Sequence, residues 1–480
     1  MSSSHNPGDL VLRPATELSA LLTSGEVSPV ELTQAFIDRA KRYARLNAYI
    51  TLDEEGALRQ AAQAEDEIKR GMIRGPLHGL PVAVKDQFDA KGLRTTAGSK
   101  IVDYIASEDA TAVGRLREAG AVILGKLNLS EFALGGNVTH PYGIPHNPWD
   151  ETRQAGQSSS GSGIAVAASL CAAALGGDTA GSIRGPSAWC GITGLRPTWG
   201  RVSRNGAWPM AWFMDTIGPM TKTVADAAMI FQAIAGHDPK DQNTSSRPLT
   251  PFEPERGLEG MRVGVIRESI DNGMATADVA AGVEEAMEVL RGLGATVLDE
   301  TLPLFEHGGL ISNGLADSEA ANIHREFLRE RPEDYDFASR RRLMAASLLP
   351  AAAYVKLSRF RMLMRRDVMA ALGRVDLLVT PAQAEGAPKL PTSTGMTSKE
   401  AVMRQYFGLR AHRGPFNLSG VPAMALPIGF TPADPEGTHA GLPMSLQVIG
   451  RPFDENRIFQ LGHAYQEVTS WHERRPELGA

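Results

Sequence analysis

Cysteine is nearly missing from this 480-residue chain: only Cys171 and Cys190 occur, too few for a disulfide framework. Both sit in apolar or glycine-rich surroundings that read as core packing, and so little cysteine suits a reducing cytoplasm. Aromatic residues are scarce too, at 6%, which makes any local cluster of them a marker. Excess positive charge is absent. The formal net charge of -6 gives no electrostatic reason to expect nucleic acid or an anionic membrane as partner and leaves small-molecule substrates open. The amino terminus, MSSSHNPGDL, lacks the basic segment and apolar core of a secretory signal. No apolar run is long enough to cross a bilayer. The longest, residues 164–175, is rich in small side chains and is expected to form a buried helix.

Metal and cofactor motifs are lacking as well. There is no His-Glu-x-x-His, no paired Cys-x-x-Cys and no Gly-x-Ser-x-Gly elbow, so a metalloprotease, a zinc site and the usual α/β-hydrolase arrangement have no support. No metal and no cofactor is expected. Residues 120–126, GAVILGK, match the first seven positions of a phosphate-binding loop, but Leu127 replaces the Ser/Thr that would hold magnesium and a strand pattern fills the middle. The histidines are scattered among polar residues and prolines and read as surface groups.

What is present alternates between helix and strand. Ser28-Pro29-Val30-Glu31 has the form of a capping box, with Leu32, Ala35, Phe36, Arg39 and Ala40 following at helical spacing. Val113, Leu116 and Ala119 mark a second helix stopped at Gly120, ahead of a short buried strand at 121–124. Residues 80–84, 262–266 and 375–379 are further strands. Residues 236–260, rich in Pro, Asp, Ser and Thr, read as a long surface connection. The alternation predicts an α/β fold.

The chemistry-bearing residues are serines and a lysine. Residues 158–182 read SSSGSGIAVAASLCAAALGGDTAGS, and Lys85 ends the run GLPVAVKD. Cleaving an amide requires a nucleophile, a group that takes its proton and returns it to the leaving nitrogen, and donors for the developing oxyanion. A lysine serves as base only when neutral, and burial lowers a lysine pKa by up to roughly 3 to 5 units. The apolar residues 80–84 would hold the Lys85 stem in an apolar layer; the other use of the same residue is a strand-end cation paired with Asp86 at the surface. Around Ser182, small residues let the backbone turn tightly and aim successive N–H groups into one concavity, or simply make a turn. The serines at 158–160 and 162 serve equally well as a helix N-cap.

In their order and spacing these segments resemble the amidase signature family. The resemblance rests on Gly156-Gln157-Ser158-Ser159-Ser160-Gly161-Ser162, then Gly176-Gly177-Asp178-Thr179-Ala180-Gly181-Ser182-Ile183-Arg184-Gly185-Pro186, then Cys190-Gly191-Ile192-Thr193-Gly194-Leu195-Arg196-Pro197-Thr198. It extends to GPLHGLPVAVKDQFD from Gly75, the strand from Gly120, NPWDETR from Asn147, NLSGVPAMALPIGF from Asn417 and the segment from Gly441. Residues 305–370 are the least typical. The resemblance implies one α/β/α sandwich over residues 1–480, with a central mixed sheet flanked by helices. The catalytic core would fall in 70–220 and a variable helical, substrate-side region in 305–370.

It also implies a Ser-Ser-Lys triad: Ser182 as nucleophile, Ser158 as bridging serine on a cis peptide, and Lys85 as base. The spacing between the two serines matches the family's register and selects Ser158 over Ser159 and Ser160. An acyl-Ser182 intermediate would be hydrolysed by water, backbone N–H groups of Thr179, Ala180, Gly181 and Ser182 would form the oxyanion hole, and Asp178 and Arg184 would support the loop. Gln157, Ser160 and Ala180 depart from the family pattern by occupying its glycines, and a positive φ at 180 would strain alanine.

Residues 207–214, AWPMAWFM, concentrate aromatics and methionine. Trp208, Met210, Trp212 and Phe213, with Gln157, are expected either to wall a substrate pocket or to be core. As a wall they favour aryl amides, anilides, carbamates (urethanes) or esters over small polar amides. The leading expectation is a stand-alone cytoplasmic amidase, monomer or homodimer, acting on a small-molecule amide or carbamate. A second is the amidase subunit of a tRNA-dependent amidotransferase, which feeds ammonia from glutamine to a partner. A third is a triad-bearing scaffold without turnover.

Overall fold

The computed structural model describes residues 7–135, 140–254, 257–271, 273–391, 398, 400, 411–433 and 441–479. Its centre is an 11-stranded sheet. In chain order the strands are β1 (Tyr49–Leu52), β2 (Pro81–Lys85), β3 (Val122–Leu127), β4 (Ala173–Gly177), β5 (Thr193–Arg196), β6 (Ile217–Thr221), β7 (Arg262–Ile266), β8 (Thr296–Glu300), β9 (Leu377–Pro381), β10 (Ala423–Phe430) and β11 (Pro443–Ile449). Across the sheet they run β1-β3-β2-β4-β6-β5-β10-β11-β9-β7-β8. β2 is parallel to β3 and β4, and β7 to β8 and β9. The other pairings are antiparallel, so the sheet is mixed, and helices flank it as expected.

β2 reads PVAVK and is buried along its whole length, the continuous apolar run of an interior parallel strand covered on both faces. β4, reading AALGG, lies beside it. Gly176 permits close approach, since a Cβ there would stand 2.6 Å from Met220 Sδ, and Gly177 adjoins Lys85, whose Nζ would lie in ordinary contact at 3.6 Å from a Cβ.

The helix expected over 164–175 is instead divided between a helix and a strand. A helix α3 (Ser160–Ala167), which follows α1 (Pro29–Arg42) and α2 (Thr111–Glu118), ends in a turn with Ser169 at φ +56, and the chain then enters β4. A short apolar run does not distinguish buried helix from buried strand, and here the opening between β2 and β6 takes its second half.

α1 starts where expected, the Ser28 side chain accepting from the Val30 and Glu31 N–H groups. The reciprocal half of the box, Glu31 accepting from the Ser28 N–H, is not formed, and the Ser28 hydroxyl donates to Glu65. α2 stops at Gly120, φ +85, and β3 carries the phosphate-loop lookalike to Leu127 as a strand. Residues 236–260 contain no helix or strand among those described. Both cysteines are buried free thiols. No described helix is long and apolar enough to cross a membrane.

After β4 come α4 (Arg184–Cys190), and, past β8, α5 (Gly308–Ile323), α6 (Phe337–Ser347) and α7 (Ala351–Arg374). The last three build a second apolar core in which Ile311, Leu315, Leu343 and Met364 meet Phe132, Met210 and Met214. This places the 305–370 region against the segment that follows the signature.

Candidate active site

Lys85 ends β2 with its side chain fully buried. Its Nζ donates to Ser158 Oγ at 2.6 Å. Burial lowers its pKa to about 7, against the opposing pull of the Asp215 and Asp178 carboxylates. The alternative of a surface pair with Asp86 is excluded, since Asp86 pairs with Lys126 at 2.8 Å in the interior and accepts from the Thr96 N–H.

The serine loop is tied to β4 rather than spent on capping. Ser159 Oγ donates to the Gly177 carbonyl at 3.1 Å and accepts from the Gly177 N–H at 3.2 Å, and Ser162 Oγ donates to Leu175 O at 3.0 Å. Ser159 stands at the N-cap of α3 without a capping bond. The peptide before Ser158 is trans, like every peptide among the described residues, which corrects the expected cis bond; a non-prolyl peptide adopts trans unless its surroundings force otherwise. Ser158 Oγ engages Lys85, and among the described residues no hydrogen bond joins it to Ser182.

Asp178 follows β4 and organises the loop that carries Ser182. Its carboxylate accepts from Arg184 Nε and Nη2 at 3.0 and 3.1 Å, Asn417 Nδ2 at 2.7 Å, and the N–H groups of Gly181 and Ile183 at 2.9 and 3.2 Å. Arg196 Nη1 stands 3.3 Å away. Burial alone would raise the Asp178 pKa, but the charges of Arg184 and Arg196 outweigh it and hold the carboxyl below its ordinary range. Asp178 and Arg184 thus hold the turn between β4 and α4 from within.

The loop resolves the question raised by Ala180. Positive φ falls on Gly181, at +106, and Ala180 is not among the positive-φ residues. The Gly181 N–H is already spent on Asp178. The N–H groups of Thr179, Ala180 and Ser182 have no acceptor among the described residues and remain available to a ligand. Ser182 is half-buried, and no described group bonds its hydroxyl.

Ser182 faces a small cavity of about 30 Å³ lined also by Gln157, Thr179, Met210, Asn313, Arg342 and Arg413. A second cavity, of about 1220 Å³, lies against Gln87, Phe88, Gly177, Trp208, Trp212 and Phe213. Thr179 lines both. The expected pocket residues are therefore split: Gln157 and Met210 stand with Ser182, while Trp208, Trp212 and Phe213 turn to the larger space. Met210 also belongs to the second core, and Trp212 is 59% exposed, so both readings of the 207–214 segment hold for different residues.

Sequence reasoning missed Asn313, Arg342 and Arg413. Asn313 and Arg342 come from α5 and α6, in the least typical stretch, and Arg342 donates to the Leu134 carbonyl and to Asp317. Arg413 donates from Nη1 to Ala382 O at 2.8 Å. The available signal was an arginine just ahead of the apolar GPFNLSG run. Asp215, which gathers Thr179, Met210 and Ala211, was also missed.

Comparisons with known proteins identify the family and the fold. A family model described as Amidase matches residues 31–459. The A subunit of the glutamyl-tRNA(Gln) amidotransferase of Moorella thermoacetica is 38% identical over 501 residues, covering 98% of this chain and 99% of that protein. A solved structure described as a vestigial protein complex revealing the evolutionary origins of an s-triazine catabolic enzyme aligns with TM-score 0.87 at 32% identity, covering 98% of this chain and 100% of that one. A crystal structure described as an amidase aligns with TM-score 0.82 at 36% identity, covering 95% and 99%.

Proposed function

The chain belongs to the amidase family and is an amide C–N hydrolase, and on that premise we propose that it cleaves a small polar amide of the glutamine type through an acyl-enzyme on Ser182, working as the amidase subunit of an amidotransferase. The observation that carries the substrate reading is the lining of the Ser182 cavity: Asn313, Arg342, Arg413 and Gln157 bring polar and cationic groups to it beside the apolar Trp189, Met210 and Pro186, while Trp208, Trp212 and Phe213 line the larger cavity. Relatives named as the A subunit of glutamyl-tRNA(Gln) amidotransferases, matching over nearly the full chain, support the same reading. It displaces the aryl-amide preference expected from the aromatic segment, and it calls for partner subunits in place of a monomer or homodimer.

In this mechanism Lys85, neutral, accepts the proton of Ser158 as Ser158 accepts that of Ser182, which attacks the amide carbon. The same relay reversed protonates the leaving nitrogen, and water then cleaves the acyl ester by the same base. Substrate binding must draw the two serine hydroxyls together, since catalytic hydrogen bonds are commonly loose in empty sites and tighten in the complex. The N–H groups of Thr179, Ala180 and Ser182, which carry no acceptor among the described residues, would receive the oxyanion.

Two outcomes follow for the site. Because the base works only unprotonated, and Lys85 titrates at about 7, kcat/KM is expected to rise with pH through that value and level above it, a limb to be read from initial rates in overlapping buffers. Gly181→Ala is expected to lower kcat by about 10²-fold, the scale of a small misplacement of reacting groups, because it displaces the turn that carries Ser182 and its neighbouring N–H groups. Its φ of +106 strains any side chain, and a Cβ there would collide with the Arg413 side chain.

A second reading, a stand-alone amidase of aryl amides or carbamates, is favoured by the large aromatic-walled cavity that meets the site at Thr179. Ammonia or amine release from glutamine, acetanilide and an aryl carbamate, measured on the purified chain alone and with candidate partner subunits, separates the two. A preference for glutamine of roughly 10²-fold, the scale of a satisfied buried charge contact, is expected. Faster cleavage of the anilide or carbamate by the chain alone would replace the first reading with the second.

A further inference from the structure

We propose that Asp215 is a positioning residue for the reaction, one carboxylate that fixes the loop bearing Ser182 to the wall segment 207–214 and thereby shapes both the oxyanion donors and the small cavity. Its Oδ1 accepts from Thr179 Oγ1 at 2.6 Å, and its Oδ2 accepts from the N–H groups of Met210 and Ala211 at 2.8 and 3.0 Å. Thr179 borders both cavities, and Met210 borders the one holding Ser182. The backbone beside Asp215 is itself pinned to the loop: the Asp178 N–H donates to Thr216 O at 2.8 Å, and the Thr216 N–H to Asp178 O at 3.2 Å. Releasing the carboxylate would free the Thr179 hydroxyl and two backbone donors of the wall at once, with the strand pairing below them intact.

Asp215 does this without an ion-pair partner among the described residues. The charged groups that influence it or the base are Lys85, Asp178, Arg196, Arg204 and Glu319. Desolvation moves its carboxyl above the ordinary aspartate range, against the bonds from Thr179, Met210 and Ala211. Its charge also favours the protonated form of Lys85, so the residue that holds the loop also balances the lysine after the relay has charged it.

This inference rests on the reading of Ser182 as nucleophile. The experiment is a cycle of Asp215→Asn, Thr179→Val and the double variant, with kcat, KM and the pH profile measured on the amide best turned over by the wild type. Asp215→Asn is expected to lower kcat by about 10²-fold, as a small misplacement of reacting groups does, with KM little changed and the acid limb displaced to lower pH. Thr179→Val is expected to lower kcat similarly, the double variant no further, and Thr179→Ser to recover about tenfold over Thr179→Val if a misplaced hydroxyl accounts for the loss. Multiplicative losses, an unmoved acid limb, or a serine variant no better than valine would overturn the proposal. Should Asp215→Asn not fold, the valine and serine pair still decides it. Ser182→Ala run alongside keeps the two claims apart: if it turns over normally the nucleophile reading fails, and if it is dead while the cycle is multiplicative only the Asp215 proposal fails.

Discussion

Ser182→Ala is expected to lower kcat by on the order of 10⁶-fold, the loss seen when a serine nucleophile is removed from a relay that acts as a unit. The substitution should leave the fold untouched. The Ser182 hydroxyl makes no hydrogen bond among the described residues and opens onto a cavity, so deleting it orphans no partner and empties no packed space. KM, or a dissociation constant for an unreactive amide, should stay close to wild type, because the cavity lining is unchanged. Thermal unfolding and ligand binding measured on the same preparation separate lost chemistry from lost structure. Lys85→Ala should also be inactive but less innocent, since it leaves a void beside Ser158 in the interior.

Asp178→Asn carries the largest expected effect on stability, a loss of about 3–5 kcal/mol, the cost of breaking a buried charge pair from one side. Asp178, Arg184 and Arg196 are all withdrawn from water. The carboxylate also takes the Gly181 and Ile183 N–H groups, so an amide in its place faces two guanidinium groups with a neutral acceptor and presents donors where only acceptors fit. Denaturant unfolding should show a lower midpoint with an unchanged slope. Activity should fall as well, because the same carboxylate sets the turn that presents Ser182.

The candidate catalytic parts were named through the family resemblance. Local residue type and spacing alone left Lys85 between a buried base and a surface cation, and the turn at Asp178 through Arg184 between an oxyanion nest and a plain turn; the fold settles the burial of Lys85 and the anchoring of that turn. The run 164–175 was misread because its apolarity was compatible with helix or strand and only the sheet decides between them. The orientation of Trp208, Trp212 and Phe213 was not legible for a different reason. Their segment is irregular, with no period to assign faces, and what fixes it is Asp215 and the distant helices α5 to α7. Asn313 and Arg342 reach the Ser182 cavity from elements far along the chain, where nothing near them in sequence marks a site, and Arg413 is marked only by its place ahead of the GPFNLSG run. Position 180 shows the limit of carrying a pattern over by residue: the family glycine expected to need positive φ is alanine here, and the next residue, Gly181, takes that conformation instead.

Peptide mapping by mass spectrometry after treatment with a sulfonyl fluoride tests the central claim most directly. One adduct is expected, on Ser182, forming more slowly as pH falls below about 7 and absent from both Ser182→Ala and Lys85→Ala. An adduct on another residue, or labelling of Ser182 at an undiminished rate in the Lys85→Ala protein, would contradict it.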